Sequence, residues 1–404
     1  MASSQGFDEI PSGAKGKAEP YQLHVADKDL SDFKTLLKLS PIAPETWENK
    51  TSTRDGGKYF GITRDWLINA KETWLDKFDW REQEAYINSF PNFKIPIKDG
   101  DNEPLSIHFA ALFSKKKDAT PVIFMHGWPG SFLEFLPMLA LLKTKYTPET
   151  LPFHAIVPSL PGYTLSSGPP TGHDFAAADA ARILNQLMID FGFGSGYIAQ
   201  GGDVGYILAR QMSVAHDECK AFHVNFLPAD GIVDQNDTEG VSEQELQQLE
   251  QVKQWRQTGM AYAMEHATRP ATIGLALSSS PLALLAWIGE KHLEWSDAEG
   301  FPLDKILSMV TLYWFTSSLP RCIWPYRALF AGGSASAPIS KTKPLGYSAF
   351  KDLGIVPKAW SKYFPNMKFR KTHEKGGHFA ALEQPEAFLE DIEEFVVKVV
   401  GPLS

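Results

Sequence analysis

Short apolar runs alternate with helix-length amphipathic segments through the middle of the chain. The helix-length segments include Phe175–Phe191 and Tyr206–Ala215. The apolar runs lie at Ile107–Phe113, Val122–Met125, Ala155–Pro158, Tyr197–Ala199, Phe222–Phe226 and Met367–Arg370. Alternation of this kind is typical of a mainly parallel sheet with helices on both faces. We therefore predict an α/β fold.

Three stretches of the chain depart from this alternation. Residues 1–20 are polar and predict a flexible tail, and residues 21–100 carry Trp-rich helical patterns. Residues 231–320 are helical throughout, which predicts a cap inserted over an active site. We expect residues 101–230 and 321–404 to form the α/β catalytic domain, which ends in a helix over Pro385–Val399.

Composition and charge narrow the classes of protein that this chain can belong to. The 404 residues are 43% apolar and 22% charged, a composition that excludes disordered and collagen-like chains. A formal net charge of −9 gives no electrostatic basis for binding nucleic acid or an anionic membrane. The polar N-terminus and the interrupted apolar segments predict neither a signal peptide nor a membrane span. We expect a cytoplasmic protein whose Cys219 and Cys322 are buried, reduced thiols.

A glycine-rich turn at residues 201–205 joins a predicted strand to a predicted helix. Its sequence, Gly201-Gly202-Asp203-Val204-Gly205, follows the small-x-nucleophile-x-small pattern of a nucleophile elbow, with aspartate at the centre. No Gly-x-Ser-x-Gly occurs in the chain, so a serine esterase has no candidate elbow. The plainer alternative is that Asp203 caps a helix and the glycines only form the turn.

Two further segments fit the same arrangement. The segment Met125-His126-Gly127-Trp128-Pro129 ends a buried strand, where such folds supply one N–H group of an oxyanion hole, here that of Trp128. The second N–H would come from Val204, directly after the nucleophile. His378 follows the last strand pattern, where the histidine base is expected, although a surface histidine is the simpler reading. Asp352 or Asp230 would orient this histidine.

Together these motifs resemble the microsomal-type epoxide hydrolases of the α/β-hydrolase superfamily, and most of all the soluble enzymes of filamentous fungi. The resemblance rests on the His126–Pro129 loop, the Gly201–Gly205 elbow and Gly376-Gly377-His378-Phe379, and it extends over nearly the whole chain. It favours Asp352 as the acid, and it implies that residues 21–100 form an N-terminal meander packed on the core. It also implies that Tyr262 and Tyr313, in two cap segments, carry the catalytic tyrosines.

The resemblance implies a two-step reaction without metal or organic cofactor. Asp203 would attack the epoxide carbon and form an ester, while Tyr262 and Tyr313 would donate to the epoxide oxygen. His378, oriented by Asp352, would then activate the water that releases a vicinal diol. The expected partner is a small epoxide, with no nucleic acid and no membrane, and the resemblance suggests a homodimer formed through the cap.

Two other functions remain open from the residues alone. A haloalkane dehalogenase shares the aspartate elbow, but known members place a tryptophan after the nucleophile where this chain has Val204. A catalytically silent α/β-hydrolase that serves as a binding protein usually lacks a nucleophile or histidine, whereas Asp203 and His378 are both present here.

Overall fold

The computed structural model describes residues 6–51, 60–100, 102–228, 232–297, 301–329, 339–401 and 403. Within these residues nine strands form one sheet. The strands are β1 (Glu19–Pro20), β2 (Asn92–Asp99), β3 (Asn102–Leu112), β4 (Thr120–Met125), β5 (Phe153–Pro158), β6 (Tyr197–Gly201), β7 (Cys219–Val224), β8 (Leu345–Ala349) and β9 (Met367–Thr372).

The strand order is β1-β2-β3-β5-β4-β6-β7-β8-β9. The strands from β5 to β9 in this order pair in parallel, and β1, β2 and β3 extend the sheet by antiparallel pairing. All six residues of β4 and all six of β5 are buried, as expected for central strands covered on both faces. The mainly parallel α/β sheet predicted from the sequence is confirmed. Strands β1, β2 and β8 were not predicted.

Helices cover the sheet and form a separate layer above it. They are α1 (Asp27–Leu39), α2 (Trp47–Lys50), α3 (Arg64–Asp76), α4 (Trp80–Asn88), α5 (Leu136–Lys145), α6 (Ala177–Asp190), α7 (Val204–Ala215), α8 (Glu243–Thr258), α9 (Ala261–Thr268), α10 (Pro270–Leu277), α11 (Pro281–Trp295), α12 (Leu303–Phe315), α13 (Leu319–Cys322), α14 (Ala380–Glu383) and α15 (Pro385–Glu393). Short 3₁₀ helices span Phe132–Phe135, Trp324–Leu329 and Lys358–Tyr363, and a π-helix at Glu394–Val400 continues α15.

The described part of the N-terminal segment is packed, contrary to the predicted flexible tail over residues 1–20. The Phe7 side chain is fully buried, and the Phe7 carbonyl accepts a hydrogen bond of 2.9 Å from Phe113 N–H. The amides of Lys15 and Gly16 donate to the Asp190 carbonyl. The tail prediction is therefore wrong for residues 6–20, because backbone pairing and one buried phenylalanine hold a segment that is otherwise polar.

The helical layer between β7 and β8 contains α8 to α13 and ends with the 3₁₀ helix Trp324–Leu329. This helical run therefore continues past residue 320, where the sequence analysis set the end of the cap. Among the described residues no single helix is long and apolar enough to cross a membrane; α10 and α11 pass that test only as a pair, which bends by 118° at its break. Cys219 and Cys322 are buried and unpaired, as expected.

Candidate active site

Asp203 lies at the tip of a sharp turn between β6 and α7. Its backbone adopts φ 50° and ψ −119°, a conformation rare for residues other than glycine and frequent at strained functional sites. A Cβ atom at Gly201 would lie 2.1 Å from the Gly205 carbonyl oxygen, and one at Gly205 would lie 2.0 Å from the Met125 carbonyl oxygen. The Asp203 side chain makes no helix-capping hydrogen bond. The glycines thus permit an elbow that leaves the carboxylate free of a capping role.

The loop after β4 packs directly against this carboxylate. The Trp128 N–H donates a hydrogen bond of 2.8 Å to Asp203 Oδ1. Val204 is the first residue of α7, so its N–H is among the amides that have no partner within the helix. The geometry brings both predicted oxyanion-hole residues to Asp203.

A buried, neutral histidine holds this loop in place. Burial lowers the pKa of His126 to about 4. Its Nδ1 lies 3.0 Å from the Gly127 carbonyl oxygen, and its Nε2 accepts a hydrogen bond from Leu160 N–H. Donation at one ring nitrogen and acceptance at the other require the neutral ring, so the low pKa and the contacts agree.

His378 lies between two carboxylates. Its Nδ1 is 2.9 Å from Asp352 Oδ1, and its Nε2 is 3.6 Å from Asp203 Oδ2. The Leu353 N–H donates to the same Asp352 oxygen at 2.6 Å. Burial alone would lower the pKa of His378, but the charges and hydrogen bonds of Asp352 and Asp203 outweigh it and raise that pKa well above its ordinary value. Asp230, the alternative acid, lies outside the described residues.

A cavity of about 420 Å³ opens between the sheet and the helical layer, with Asp203 and His378 in its wall. Tyr262 on α9 and Tyr326 in the 3₁₀ helix Trp324–Leu329 line the same cavity, and their ring centroids lie 5.7 Å apart. The Tyr262 ring stacks on the Trp128 ring with centroids 5.2 Å apart. Burial, with a contribution from the Asp203 charge, raises the pKa of both tyrosines, so both hydroxyls keep their protons at neutral pH.

Tyr313, the second tyrosine predicted from the sequence, does not line this cavity. Its side chain is 1% exposed, and its hydroxyl donates a hydrogen bond of 2.7 Å to the Gly130 carbonyl. The prediction for Tyr313 is therefore corrected: α12 is buried on most of its surface, and this hydroxyl is used to hold the loop after β4.

Tyr326 is a site residue that the sequence analysis missed. The only local signal was the segment Trp324-Pro325-Tyr326, which follows the last helical pattern at the point where the chain returns towards the sheet. A proline just beyond a helix ends it, but this pattern does not tell which way the next side chain points.

Glu134 is a second residue that the sequence did not reveal. It lies in the 3₁₀ helix Phe132–Phe135, is 8% exposed, and helps to line a cavity of about 10 Å³ bounded also by Asp203, His378 and Asn225. Burial raises the pKa of its carboxyl to about 8, although the nearby His378 lowers it. A polar cavity of this volume accommodates a single water molecule.

Metal ligands do not converge at this site. Across the described ranges, no group of three or more His, Cys, Asp or Glu side chains is arranged to hold a metal ion.

Comparisons with known proteins identify relatives of this chain. A family model described as "Epoxide hydrolase N terminus" matches residues 18–135, and one described as "alpha/beta hydrolase fold" matches residues 120–287. A putative epoxide hydrolase of Dothistroma septosporum is 45% identical over 401 residues, covering 98% of this chain and 94% of the relative. Epoxide hydrolase 1 of Sus scrofa is 28% identical, with 96% and 90% of the two chains covered.

A solved structure shows the same likeness in three dimensions. The structure of Aspergillus niger epoxide hydrolase superimposes with a TM-score of 0.89 at 48% identity, covering 97% of this chain and 99% of that one. This chain thus aligns with these enzymes along almost its full length. It also has an aspartate elbow, with a histidine and an acid beside it and a helical layer above. The chain belongs to the epoxide hydrolase family and has the α/β-hydrolase fold.

Proposed function

We propose that this epoxide hydrolase opens its substrate through a covalent ester of Asp203, with Tyr262 and Tyr326 as the proton donors and His378 as the base for hydrolysis. The observation that supports this most directly is the cavity of about 420 Å³, which is lined by Asp203 and by two tyrosines in ring contact, Tyr262 and Tyr326. A nucleophile and acidic hydroxyls in one cavity are what attack on a strained ring with a poor leaving group requires.

In the first step an Asp203 carboxylate oxygen attacks one epoxide carbon. The bond from that carbon to the ring oxygen breaks, and its electron pair goes to the oxygen. Tyr262 and Tyr326 donate hydrogen bonds to this oxygen, and one of them gives it a proton. The products are a hydroxyalkyl ester of Asp203 and a tyrosinate, which later regains a proton.

Ester formation changes the electrostatics around His378. The Asp203 charge helps to hold the pKa of this histidine high, and the ester carries no charge. The pKa of His378 therefore falls in the intermediate, and the ring becomes able to accept a proton from water while Asp352 holds it in place.

The second step hydrolyses the ester. We place the attacking water in the small cavity beside His378 and Asp203, where the carboxyl of Glu134 and the amide of Asn225 supply additional polar contacts. Hydroxide adds to the ester carbonyl carbon, and the Trp128 and Val204 N–H groups stabilise the tetrahedral oxyanion. The intermediate collapses and expels an alkoxide, which takes the proton from His378 and leaves as the diol. Asp203, released as a carboxylic acid, gives its proton to the tyrosinate and is restored as a carboxylate.

A single turnover in heavy-oxygen water tests the ester mechanism. Enzyme in excess over styrene oxide should give diol without label, because the added oxygen comes from Asp203, and the label should enter the protein. Fully labelled diol in the first turnover would show direct attack by water instead. Parallel incubation with 1-bromobutane tests dehalogenation, and bromide release in place of diol formation would favour that activity.

Cytoplasmic location and dimerisation through the helical layer belong to this proposal as well. Cell fractionation and light scattering of the purified chain test them, and a monomer at micromolar concentration would contradict the dimer.

A further inference from the structure

The cavity of about 420 Å³ beside Asp203 is also lined by an arginine, Arg210, on the helix that follows the nucleophile. Tyr206, Ile207 and Arg210 of α7 line the cavity, three, four and seven residues after Asp203. This spacing puts them on one face of the helix. With a rise of about 1.5 Å per residue, the Arg210 backbone lies about 10 Å along the helix axis from that of Asp203.

Arg210 is buried with few partners. It is 5% exposed, and among the described residues its side chain makes one hydrogen bond, from Nη1 to the Tyr206 hydroxyl at 2.8 Å. Its Nε is buried without a hydrogen-bond partner, and among the described residues no carboxylate forms an ion pair with it. A buried cation without a counter-charge is costly, so a protein rarely retains one without compensation.

Another arginine in the same chain shows what a structural role looks like. Arg321 donates to four backbone carbonyls, those of Ser317, Ser166, Thr164 and Thr316. Its charge is thus solvated by the protein itself. Within the described part of the chain Arg210 has no such set of acceptors, and this residue lines the cavity, so an acceptor can come from a ligand there.

The rest of the cavity explains what kind of ligand would fit. Apart from the reacting groups and Arg256 the lining is mainly aromatic and aliphatic, with Phe226, Trp255 and Leu353 among its members. An apolar passage therefore separates the Asp203 carboxylate from the Arg210 guanidinium. A matching molecule has an epoxide at one end, an apolar chain in the middle and an anion at the other end.

We propose that the preferred substrates are epoxides that carry a carboxylate at the end of a medium-length apolar chain, and that Arg210 binds this carboxylate. The inference rests on the proposed function, because it assumes that the epoxide reacts at Asp203. A carboxylate matches the fork of guanidinium donors better than an ester or a hydroxyl does. Contact at both ends would also fix which epoxide carbon faces Asp203.

The test compares one carbon skeleton with and without the charge. A ten-carbon terminal epoxide bearing a carboxylate at its other end, and the methyl ester of the same compound, are assayed for diol formation. We expect kcat/KM for the carboxylate to exceed that for the methyl ester about 10- to 100-fold, mostly through KM, because the contact is remote from the reacting bonds. Equal values for the two compounds would overturn the inference.

Variants identify the residue that is responsible. Arg210→Gln should reduce the ratio of the two kcat/KM values to near one, Arg210→Lys should retain part of it, and Arg64→Gln, outside the cavity, should leave it unchanged. A ratio that survives in Arg210→Gln, or that is lost in Arg256→Gln instead, would overturn the assignment. Diol formation from the methyl ester separates the substrate inference from the proposed function. If both compounds give diol at equal kcat/KM, only the substrate inference fails. If neither compound gives diol, the proposed function fails too.

Discussion

At the scale of single residues, two tyrosines of the helical layer differ in what their hydroxyls contact. Tyr326 lines the cavity beside Tyr262, whereas the Tyr313 hydroxyl donates to the backbone of the loop after β4. The sequence could not separate them, because both lie near the end of a helical stretch and both are flanked by aromatic or apolar residues. A helix that is buried on most sides has no amphipathic periodicity, so its sequence does not indicate which side chain faces the cavity.

Replacing each tyrosine by phenylalanine should separate the roles. Tyr262→Phe and Tyr326→Phe should each slow ester formation, and the double variant should lose about 10²- to 10⁴-fold in rate, as expected for removal of a positioned proton donor. Ester formation is followed in single turnovers by the change in total tryptophan fluorescence, to which Trp128, stacked on Tyr262, contributes.

Tyr313→Phe is the matched control. Epoxide opening should persist in this variant, while the unfolding free energy should fall by about 1–3 kcal/mol, because the Gly130 carbonyl loses its buried donor. If Tyr313→Phe instead stops ester formation and Tyr326→Phe does not, the assignment of the tyrosines is reversed.

His378→Gln should separate the two half-reactions. Asp203 and the tyrosines remain, so epoxide opening continues, but no base activates the water and the ester accumulates. Intact-protein mass spectrometry should show an increase of one substrate mass, and proteolysis should locate it on the peptide that contains Asp203. Asp352→Asn should give a milder accumulation, because the ring loses its orienting partner but not its basicity entirely.

The hydrolysis step should depend on pH in a direction set by His378. Hydrolysis needs the neutral ring, so its rate should rise with pH through the pKa of His378 in the ester and fall as pH is lowered through it. Ester formation needs only an ionised Asp203 and should persist at lower pH. Rapid-mixing single turnovers from pH 5 to pH 9 measure the two phases, and parallel pH profiles would contradict the assignment of His378 to the second step alone.

At the scale of elements, the contact between α7 and β4 leaves no room for a side chain at the elbow. Gly205→Ala would put its Cβ 2.0 Å from the Met125 carbonyl oxygen, a backbone atom that cannot rotate away. We expect a loss of about 3 kcal/mol in unfolding free energy and a displaced Asp203. Urea denaturation measures this, with Gly172→Ala, which meets no atom within 4 Å, as a control that should change stability by less than about 0.5 kcal/mol.

The same contact explains why the elbow could be identified from sequence. The requirement for glycine at positions 201 and 205 arises from the close approach of neighbouring backbones, so it leaves a local mark of a few residues. The strand–helix alternation around it likewise depends on local periodicity. Strands β1 and β2 escaped prediction because their place at the antiparallel edge depends on pairing with β3.

At the scale of the whole molecule, a buried charge network ties the last part of the chain to the sheet. The Asp391 carboxylate of α15 is fully buried and accepts hydrogen bonds from Ser348 of β8 and His373, and Lys371 of β9 lies 3.1 Å from it. Burial by itself would raise the pKa of Asp391, but the hydrogen bonds from His373 and Ser348 outweigh it and lower that pKa below its ordinary value.

Asp391→Asn should therefore destabilise the fold in a pH-dependent way. At pH 7 we expect a loss of about 3 kcal/mol in unfolding free energy, because Lys371 loses its buried counter-charge and the hydrogen bonds from His373 and Ser348 are weakened. A carboxyl with a lowered pKa stabilises the folded state above its unfolded pKa, and this stabilisation is lost as pH falls through the folded pKa. The difference between variant and parent should thus shrink in acid. Asp32→Asn, in an exposed pair with Lys28, should cost less than about 1 kcal/mol.

The sequence by itself determined the α/β fold and the aspartate elbow, whereas the choice of Asp352 over Asp230 came from the family resemblance. The fold and the elbow depend on periodicity or on the steric demands of a few adjacent residues, and such demands are visible along the chain. Tertiary structure alone decided that residues 6–20 pack against the fold, that Tyr326 and not Tyr313 faces the cavity, and that Glu134 lies beside His378. These outcomes, and the position of Arg210 in the wall of the cavity, depend on contacts between residues far apart in the chain. No local sequence pattern encodes which distant backbone or side chain a given residue will contact.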